Sequence, residues 1–269
     1  MSAVMEDVQD VRVDVMNGQL PIHVKKLGSG PDLVYLHPAG GLMIDPWVQQ
    51  LAEQYTVFAP YFPGTAPGDP YAIHKVDALW DVVLSYEELF RGLGLDRPIC
   101  IAQSFGGMLA AEIASTFPGI FSKLVLLDPV GLWNDEYPVA NWIATPAEKL
   151  PELLFHDPGC PGAVAMFTFP DDIDLTVEIA SGLVWAIGCT GKFAWPIPDR
   201  GLKHRLHRNI TPTLLVWGEQ DALSPAQYAD DFAALIPNAQ KVIIPNCGHI
   251  PQVEQPEALT AAVSKFLAS

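Results

Sequence analysis

Basic side chains are scarce in this chain of 269 residues, which has 15 Lys and Arg against 31 Asp and Glu and a formal net charge of −16. Proteins that bind nucleic acid usually present a basic face to the phosphates, and anionic membranes likewise attract basic segments. We therefore expect neither nucleic acid nor a membrane as a partner. The imbalance lies in residues 1–191, which contain 24 acids and 8 bases, whereas residues 192–269 contain 7 of each.

Features that define other classes of protein are missing as well. Four cysteines without a C-x-x-C pair are too few for a disulfide scaffold. No apolar run reaches the roughly 18–20 residues of a membrane helix, and Met1 to Asp14 lack the basic start and apolar stretch of a signal peptide. These absences leave a cytoplasmic enzyme or small-molecule-binding protein as the expectation, either a monomer or a homodimer.

Apolar strands alternate with helical periodicity along most of the chain. Residues 11–15 and 19–26 predict a hairpin that turns at Asn17-Gly18, a pair suited to positive φ. The remaining predicted elements are strands at 32–37, 54–60, 98–102, 123–128, 213–218 and 241–245, and helices at 75–93, 105–116, 225–235 and 256–267. This alternation is typical of an α/β protein with a mostly parallel sheet and helices on both faces.

Residues 131–211 interrupt the alternation with short helical pieces and many prolines. We interpret them as a helical cap over the strand ends, so that residues 1–130 and 212–269 form one core domain. Ligand pockets are mostly apolar, so the aromatic residues of this segment include candidates for a substrate pocket, although packing within the cap accounts for most of them. The pocket candidates are Trp133, Trp142, Trp185, Trp195 and, outside the cap, Ile250.

The segment Ala102-Gln103-Ser104-Phe105-Gly106-Gly107 lies between a predicted strand and a predicted helix. A tight strand-to-helix turn exposes its central residue and needs small neighbours, which is the nucleophile elbow, usually G-x-S-x-G. Ala102 replaces the first glycine and is still small. A serine before a helix is more often an N-cap, so the motif alone does not identify a nucleophile.

A serine nucleophile needs a base that a third group orients. Asp221 follows the strand at 213–218, and His249 follows the strand at 241–245. Strand ends in a parallel sheet converge at one edge, so Ser104, Asp221 and His249 would meet there in the order Ser…Asp…His. Asp128 at the end of the 123–128 strand is an alternative acid, and a turn aspartate and a loop histidine are the non-catalytic interpretations.

With this ordered set of residues, the chain resembles the α/β-hydrolases over nearly its whole length. The resemblance runs from the turn His37-Pro38-Ala39-Gly40-Gly41 to the segment 248–257, which is similar to the His-bearing segment of lidded bacterial esterases, lactonases and carbon–carbon bond hydrolases. It implies an eight-stranded sheet with a helical cap after the sixth strand. Relatives that act on halides or epoxides have Asp in the elbow, and Ser104 indicates neither activity.

The resemblance also implies an oxyanion hole made of two backbone N–H groups. One would come from Phe105, directly after the nucleophile. The other would come from the turn after His37, where relatives commonly have His-Gly. Pro38 stands in that place and has no N–H, so Ala39 is the expected donor.

These residues predict a serine hydrolase that cleaves a carboxylic ester or lactone with an apolar portion, acting on a small-molecule substrate without a cofactor or metal. No cluster of His, Cys, Asp and Glu shows metal-ligand spacing. One alternative is a carbon–carbon bond hydrolase of a diketone-like ring-cleavage product, with Arg200 and Arg205 binding a substrate carboxylate. The basic run 200–208 is otherwise a solvated helix face. The other alternative is a non-catalytic receptor on the same fold.

Overall fold

The structure is a computed structural model that describes residues 8–269, so the predictions for residues 1–7 lie outside the described part. Within it the strands are β1 (Gln9–Val15), β2 (Leu20–Leu27), β3 (Asp32–Leu36), β4 (Thr56–Pro60), β5 (Ile99–Gln103), β6 (Lys123–Leu127), β7 (Thr213–Gly218) and β8 (Ala239–Ile244). They form one sheet in the order β1-β2-β4-β3-β5-β6-β7-β8. Strand β2 is antiparallel to β1 and β4, and the other pairings are parallel. The predicted mostly parallel, eight-stranded sheet is confirmed.

The helices follow the strands as the α/β pattern requires. They are α1 (Pro46–Leu51), α2 (Leu79–Gly92), α3 (Phe105–Thr116), α4 (Leu150–Leu154), α5 (Pro161–Phe167), α6 (Ile173–Ala194), α7 (Tyr228–Leu235), α8 (Pro251–Glu254) and α9 (Pro256–Leu267). Helix α2 starts four residues later than the predicted Lys75, because the Asp81 carboxylate accepts the N–H groups of Asp77 and Ala78 and caps the helix there. Residues 70–75 form a separate 3₁₀ helix.

Both faces of the sheet are buried, which is why its strands are apolar without interruption. Alternate residues of one strand point to opposite faces, so Val34 packs on the side of α2 and α3 whereas Tyr35 packs on the side of α1 and α9. The same division separates Trp217 from Val216 in β7. The two cores fix the strands that carry the polar residues at their carboxyl ends.

The chain between β6 and β7 contains α4, α5, α6 and three short 3₁₀ turns. We call residues 131–211 the cap segment, using the predicted boundaries; their division into separate domains stays a prediction. Most of the large apolar side chains that the described residues leave exposed lie in this segment, among them Phe169, Ile173, Val177, Val184 and Trp195.

Among the described residues, α6 is the helix that is long and apolar enough to cross a membrane by length and composition. Asp174 and Glu178 interrupt its apolar run, which is why the sequence shows no unbroken stretch of that length. In this structure α6 is bonded to the core instead. The Trp185 indole N–H donates to the Gly64 carbonyl oxygen at 3.0 Å, and the Thr190 hydroxyl donates to the Ala39 carbonyl oxygen at 3.2 Å.

Candidate active site

Ser104 occupies the turn between β5 and α3 with φ 54° and ψ −116°, a conformation that side chains rarely adopt. Its N–H donates to the Leu127 carbonyl oxygen at 2.9 Å, and its side chain makes no capping bond to α3. A Cβ atom at Gly106 would lie 2.3 Å from the Leu36 carbonyl oxygen, so only glycine fits there. The serine therefore occupies the N-cap position of α3 in a strained turn, but its side chain does not cap the helix.

The structure brings Ser104, His249 and Asp221 together at the carboxyl edge of the sheet. His249 Nε2 lies 2.8 Å from Ser104 Oγ, and its Nδ1 lies 2.7 Å from Asp221 Oδ2. All three residues are buried, with exposed fractions of 5%, 2% and 5% in that order. The backbone N–H of His249 also donates to the Leu154 carbonyl oxygen at 2.8 Å, which connects the histidine loop to α4. This chain of bonds can move a proton from the serine hydroxyl to the imidazole.

Asp221, rather than Asp128, is the carboxylate bonded to the imidazole. Its Oδ1 accepts the N–H groups of Leu223 and Ser224 at 2.8 and 2.9 Å, so the loop after β7 orients Oδ2 toward His249. Three donors on one carboxylate favour its ionised form. An ionised partner at Nδ1 keeps Nε2 free to accept a proton and stabilises the imidazolium that forms.

Asp128 lies close to this group without bonding the imidazole. Its Oδ1 accepts the Gly218 N–H at 2.8 Å, and burial raises the pKa of its carboxyl group well above the usual value. Asp128, Asp221 and His249 each place one potential ligand atom within 4.8 Å of the others. The sequence shows no metal-ligand spacing for these three residues, because they are far apart in the chain. However, His249 Nδ1 and Asp221 Oδ2 are 2.7 Å apart, which is a hydrogen-bond distance. These two atoms are therefore bonded to each other and are not free to bind a metal ion.

The turn after β3 forms the part of the cavity wall that contains Ala39. Gly41 N–H donates to the Pro38 carbonyl oxygen at 3.2 Å, and Ala39 and Ser104 line the same cavity. His37 holds the turn: its Nδ1 lies 2.7 Å from the Pro38 carbonyl oxygen, and its Nε2 accepts the Phe62 N–H at 3.0 Å. Nε2 as acceptor makes His37 the neutral Nδ1–H tautomer, and burial lowers its pKa to about 4.

Phe105, the other expected oxyanion donor, is the first residue of α3. The first N–H groups of a helix have no intrahelical acceptor, and they lie at its positive end. The Phe105 ring packs edge-on against Phe62 at 5.1 Å between ring centres, and this contact helps to fix the position of the start of α3. Phe105 thus directly follows the serine in the chain, whereas Ala39 lines the cavity together with the serine.

A cavity of about 290 Å³ opens at Ser104 and His249. Its walls are mostly apolar, and nine of its 22 lining residues come from the cap segment, including Leu150, Leu154, Met166, Leu183 and Ile187. None of the residues found to line it is Lys or Arg; Asp45 is its acidic one. A mostly apolar lining with a few polar groups is typical of small-molecule sites.

The sequence of residues 33–263 matches the alpha/beta hydrolase family. The chain belongs to this family. The predicted fold and the resemblance are thereby confirmed, and the protein is an α/β-hydrolase.

Three comparisons illustrate the range of its relatives. The chain is 26% identical to a 2-hydroxy-6-oxo-6-phenylhexa-2,4-dienoate hydrolase of Burkholderia cepacia, over 92% of this chain and 91% of the relative. A membrane phospholipase A described as a bacterial virulence factor has a similar structure, with TM-score 0.74, 22% identity and coverage of 97% and 86%. The serine hydrolase CarC of carbazole degradation gives TM-score 0.74 and 20% identity, with coverage of 97% and 99%. The two structures show the shared fold.

The pocket candidates of this α/β-hydrolase divide into two groups. Trp142 and Ile250 line the cavity, and the Trp142 indole N–H is buried without a hydrogen-bond partner in the described structure. Trp133, Trp185 and Trp195 are not among the lining residues. Trp133 is half-buried, packs against the core and bonds to Asp135, whereas Trp185 and Trp195 are exposed and Trp185 bonds to Gly64.

Three polar residues that line the cavity, Asp45, Gln103 and Gln252, were not predicted as site residues from the sequence. Gln252 Nε2 donates to Gln103 Oε1 at 2.7 Å, and Gln103 Nε2 donates to the His249 carbonyl oxygen at 3.1 Å. Asp45 caps α1 by accepting the Val48 N–H at 2.8 Å, and burial raises the pKa of its carboxyl group. The two glutamines could have been found by their position in the sequence, because Gln103 directly precedes Ser104 and Gln252 lies three residues after His249.

The basic run 200–208 does not reach the cavity of this α/β-hydrolase. Arg200 Nε donates to the Phe193 carbonyl oxygen at 2.6 Å. Arg205 bonds the Glu112 carboxylate with two nitrogens, at 2.6 and 2.8 Å, and Arg208 bonds the Ser115 carbonyl oxygen. Arg205 and Arg208 thus attach the return from the cap segment to α3, and Arg200 attaches it to α6. The run is neither a substrate site nor simply a solvated face.

Proposed function

We propose that this α/β-hydrolase is a serine hydrolase of carboxylic esters or lactones whose acyl portion is apolar and uncharged. The observation that carries the proposal is the bonded series Ser104–His249–Asp221 at the opening of an apolar cavity. The serine supplies the nucleophile, the histidine the base, and the aspartate the group that orients it.

In the proposed reaction, Ser104 Oγ attacks the acyl carbon while its proton passes to His249 Nε2. The carbonyl oxygen becomes an oxyanion, to which the N–H groups of Ala39 and Phe105 donate. Collapse of this intermediate breaks the bond to the leaving alkoxide, which takes the proton from Nε2 and leaves an acyl-serine. His249 then activates a water molecule, which releases the carboxylic acid and regenerates Ser104. In a lactone the departing alkoxide stays attached to the acyl group.

The lining of the cavity favours uncharged substrates. A buried carboxylate of the substrate would need a cation or several donors, whereas the lining includes Asp45 and no Lys or Arg. The same argument weighs against the carbon–carbon bond alternative, which depended on Arg200 and Arg205. The 26% identical Burkholderia relative, a dienoate hydrolase, still supports that alternative. A substrate of that class is therefore included in the test below.

The test compares neutral p-nitrophenyl esters of increasing acyl length, lactones and an anionic vinylogous diketone. We expect the neutral esters to have the highest kcat/KM, and Ser104→Ala to abolish their turnover while circular dichroism shows an intact fold. Preferred cleavage of the anionic diketone would replace the ester proposal with the carbon–carbon bond alternative. Undiminished ester turnover by Ser104→Ala would overturn the serine mechanism.

A receptor without catalysis is tested by a fluorophosphonate probe. We expect the probe to form an adduct on Ser104, because the adjacent imidazole activates the hydroxyl group. The Ser104→Ala protein is the matched control and should stay unlabelled. An unlabelled wild-type protein would favour the receptor.

A further inference from the structure

Two carboxyl groups lie side by side behind the proposed triad. Asp128 directly follows β6 and Asp221 follows β7, and one carboxylate oxygen of each lies within 4.8 Å of the other and of a ring nitrogen of His249. Both side chains are fully buried, since Asp128 is 0% exposed and the side chain of Asp221 is also 0% exposed. Two carboxylates this close in a buried site repel each other strongly, so the pair holds a proton between them.

The hydrogen bonds of the two residues indicate which carboxyl group carries that proton. Asp221 accepts three donors: the Leu223 N–H, the Ser224 N–H and His249 Nδ1. Asp128 accepts one, the Gly218 N–H at Oδ1, and its Oδ2 is buried with no partner in the described structure. Donors stabilise the ionised form of a carboxyl group. The charge therefore rests on Asp221 and the proton on Asp128.

We propose that Asp128 is a neutral positioning residue whose Oδ2–H donates a hydrogen bond to the Asp221 carboxylate. This bond gives Oδ2 the partner it lacks and gives Asp221 a fourth hydrogen bond, so its orientation toward His249 is fixed from two strands. It also spreads the charge of Asp221 without adding a second negative charge beside the imidazole. The inference rests on the proposed function, because Asp128 acts through the triad.

The other groups that face this pair favour the same protonation state. Glu254, which accepts the Gly248 N–H, adds negative potential and raises the pKa of Asp128 further, after burial and Asp221. Burial also raises the pKa of the neighbouring Cys247 thiol, which stays neutral. The cation that can form beside the pair is the His249 imidazolium, and Asp221 is its bonded partner.

Two substitutions test the donor role. Asp128→Asn keeps both bonds, since its amide oxygen accepts the Gly218 N–H and its NH₂ group donates to Asp221. Asp128→Ala loses both. We expect Asp128→Ala to lower kcat/KM for a neutral ester by about 10- to 100-fold, as the loss of supporting hydrogen bonds does. Asp128→Asn should restore most of that loss and keep the acidic limb of the pH profile at its wild-type position.

An ionised Asp128 predicts a different pH profile. Asp128→Asn would then remove a negative charge next to His249 and move the acidic limb to lower pH by about one unit or more. That shift, or equal losses in both variants with unchanged thermal unfolding, would overturn the proposal. Loss of fold in Asp128→Ala is recognised by its melting temperature, and the Asn variant then decides by its pH profile.

Infrared spectroscopy measures the protonation state without any substrate. At pH 8 the wild-type protein should show the C=O stretch of a protonated carboxyl group, and the difference spectrum against Asp128→Asn should contain that band. A difference spectrum without it would overturn the neutral state of Asp128. A protein with the band but without ester turnover would leave Asp128 neutral and contradict the proposed function instead.

Discussion

The sheet edge and the cap segment contribute to one cavity in opposite ways. At the sheet edge, Ser104, Asp221 and His249 are nearly fully buried, and backbone hydrogen bonds fix the position of each. In the cap segment, large apolar side chains remain exposed, with Val177 at 60% and Val184 at 70%. We infer that the sheet edge determines the reaction and that the cap segment determines which substrates reach it.

This division follows from how each region gains its stability. The strand ends are held by two apolar cores, so small displacements there are costly. Helix α6 gains less from burial, because its buried residues lie mainly in the last three turns, from Ala186 to Ala194. A region with few buried apolar contacts opens at lower free energy. Substitutions at the sheet edge should therefore change kcat, whereas substitutions in the cap segment should change selectivity.

The largest effect is expected from Asp221→Asn. An amide at this position cannot stabilise the imidazolium and favours the wrong tautomer of His249, so kcat for a neutral ester should fall about 10⁴-fold. The exposed neighbour Glu219, on the same loop, provides the matched control, and Glu219→Gln should leave kcat unchanged. A loss in Asp221→Asn below about tenfold would show that the sheet edge does not determine the reaction in this way.

Replacing one glycine by alanine in each region tests how well the sheet edge and the cap segment tolerate an added methyl group. Gly106→Ala places Cβ 2.3 Å from the Leu36 carbonyl oxygen, so we expect a loss of unfolding free energy of about 3 kcal/mol or more. Gly182 lies in α6 with open space around its Cβ position, and Gly182→Ala should stabilise the helix by about 0.5–1 kcal/mol. Urea unfolding of both variants measures the contrast. Equal effects would remove the distinction between the two regions.

The pH dependence of stability tests the turn that presents Ala39. Burial lowers the pKa of His37 to about 4 in the folded protein, below its value of 6.5 when unfolded. Between these two values the unfolded chain binds a proton that the folded chain does not, so His37 makes stability fall as pH decreases. The contribution amounts to about 3 kcal/mol once pH is below 4.

The measurement is the difference between wild type and His37→Asn in unfolding free energy at pH 7 and pH 4. The variant should lack the part of the slope that His37 provides. The carboxyl groups of Asp45 and Asp128, whose pKa values are raised, contribute with the opposite sign in both proteins and cancel in the difference. Parallel pH profiles would mean that His37 is not held neutral in the fold.

The sequence was most informative where one local rule decides the geometry. The elbow could be predicted because its small residues follow a strand, and Ser104, Asp221 and His249 could be grouped because parallel strands end at the same edge. The hairpin turn at Asn17-Gly18 also follows from local chemistry, with φ of 56° and 79°. The elbow and the hairpin turn need only neighbours in sequence, whereas grouping the three residues also needs the rule for parallel sheets.

The cavity lining could not be predicted because it depends on helix orientation. Trp185 and Leu183 are two residues apart in α6, yet Leu183 lines the cavity whereas Trp185 bonds to Gly64 outside it. Arg205 illustrates the same limit, since its partner Glu112 is 93 residues away and nothing local indicates the pair. The residue type alone made the tryptophans and arginines candidates, and tertiary contacts decided their positions.

The smallest effect on catalysis is expected from a pair of neighbours in α6 that face different surroundings. Leu183→Ala shortens a side chain in the cavity wall, and a few missing methyl groups in an apolar pocket change selectivity by about 1–3 kcal/mol. We expect kcat/KM for a long acyl ester to fall by about tenfold relative to a short one. Val184 is 70% exposed, so Val184→Ala should leave that ratio unchanged. A reversed pattern would mean that α6 rotates when substrate binds, because Val184 would then contact the acyl chain that Leu183 contacts here.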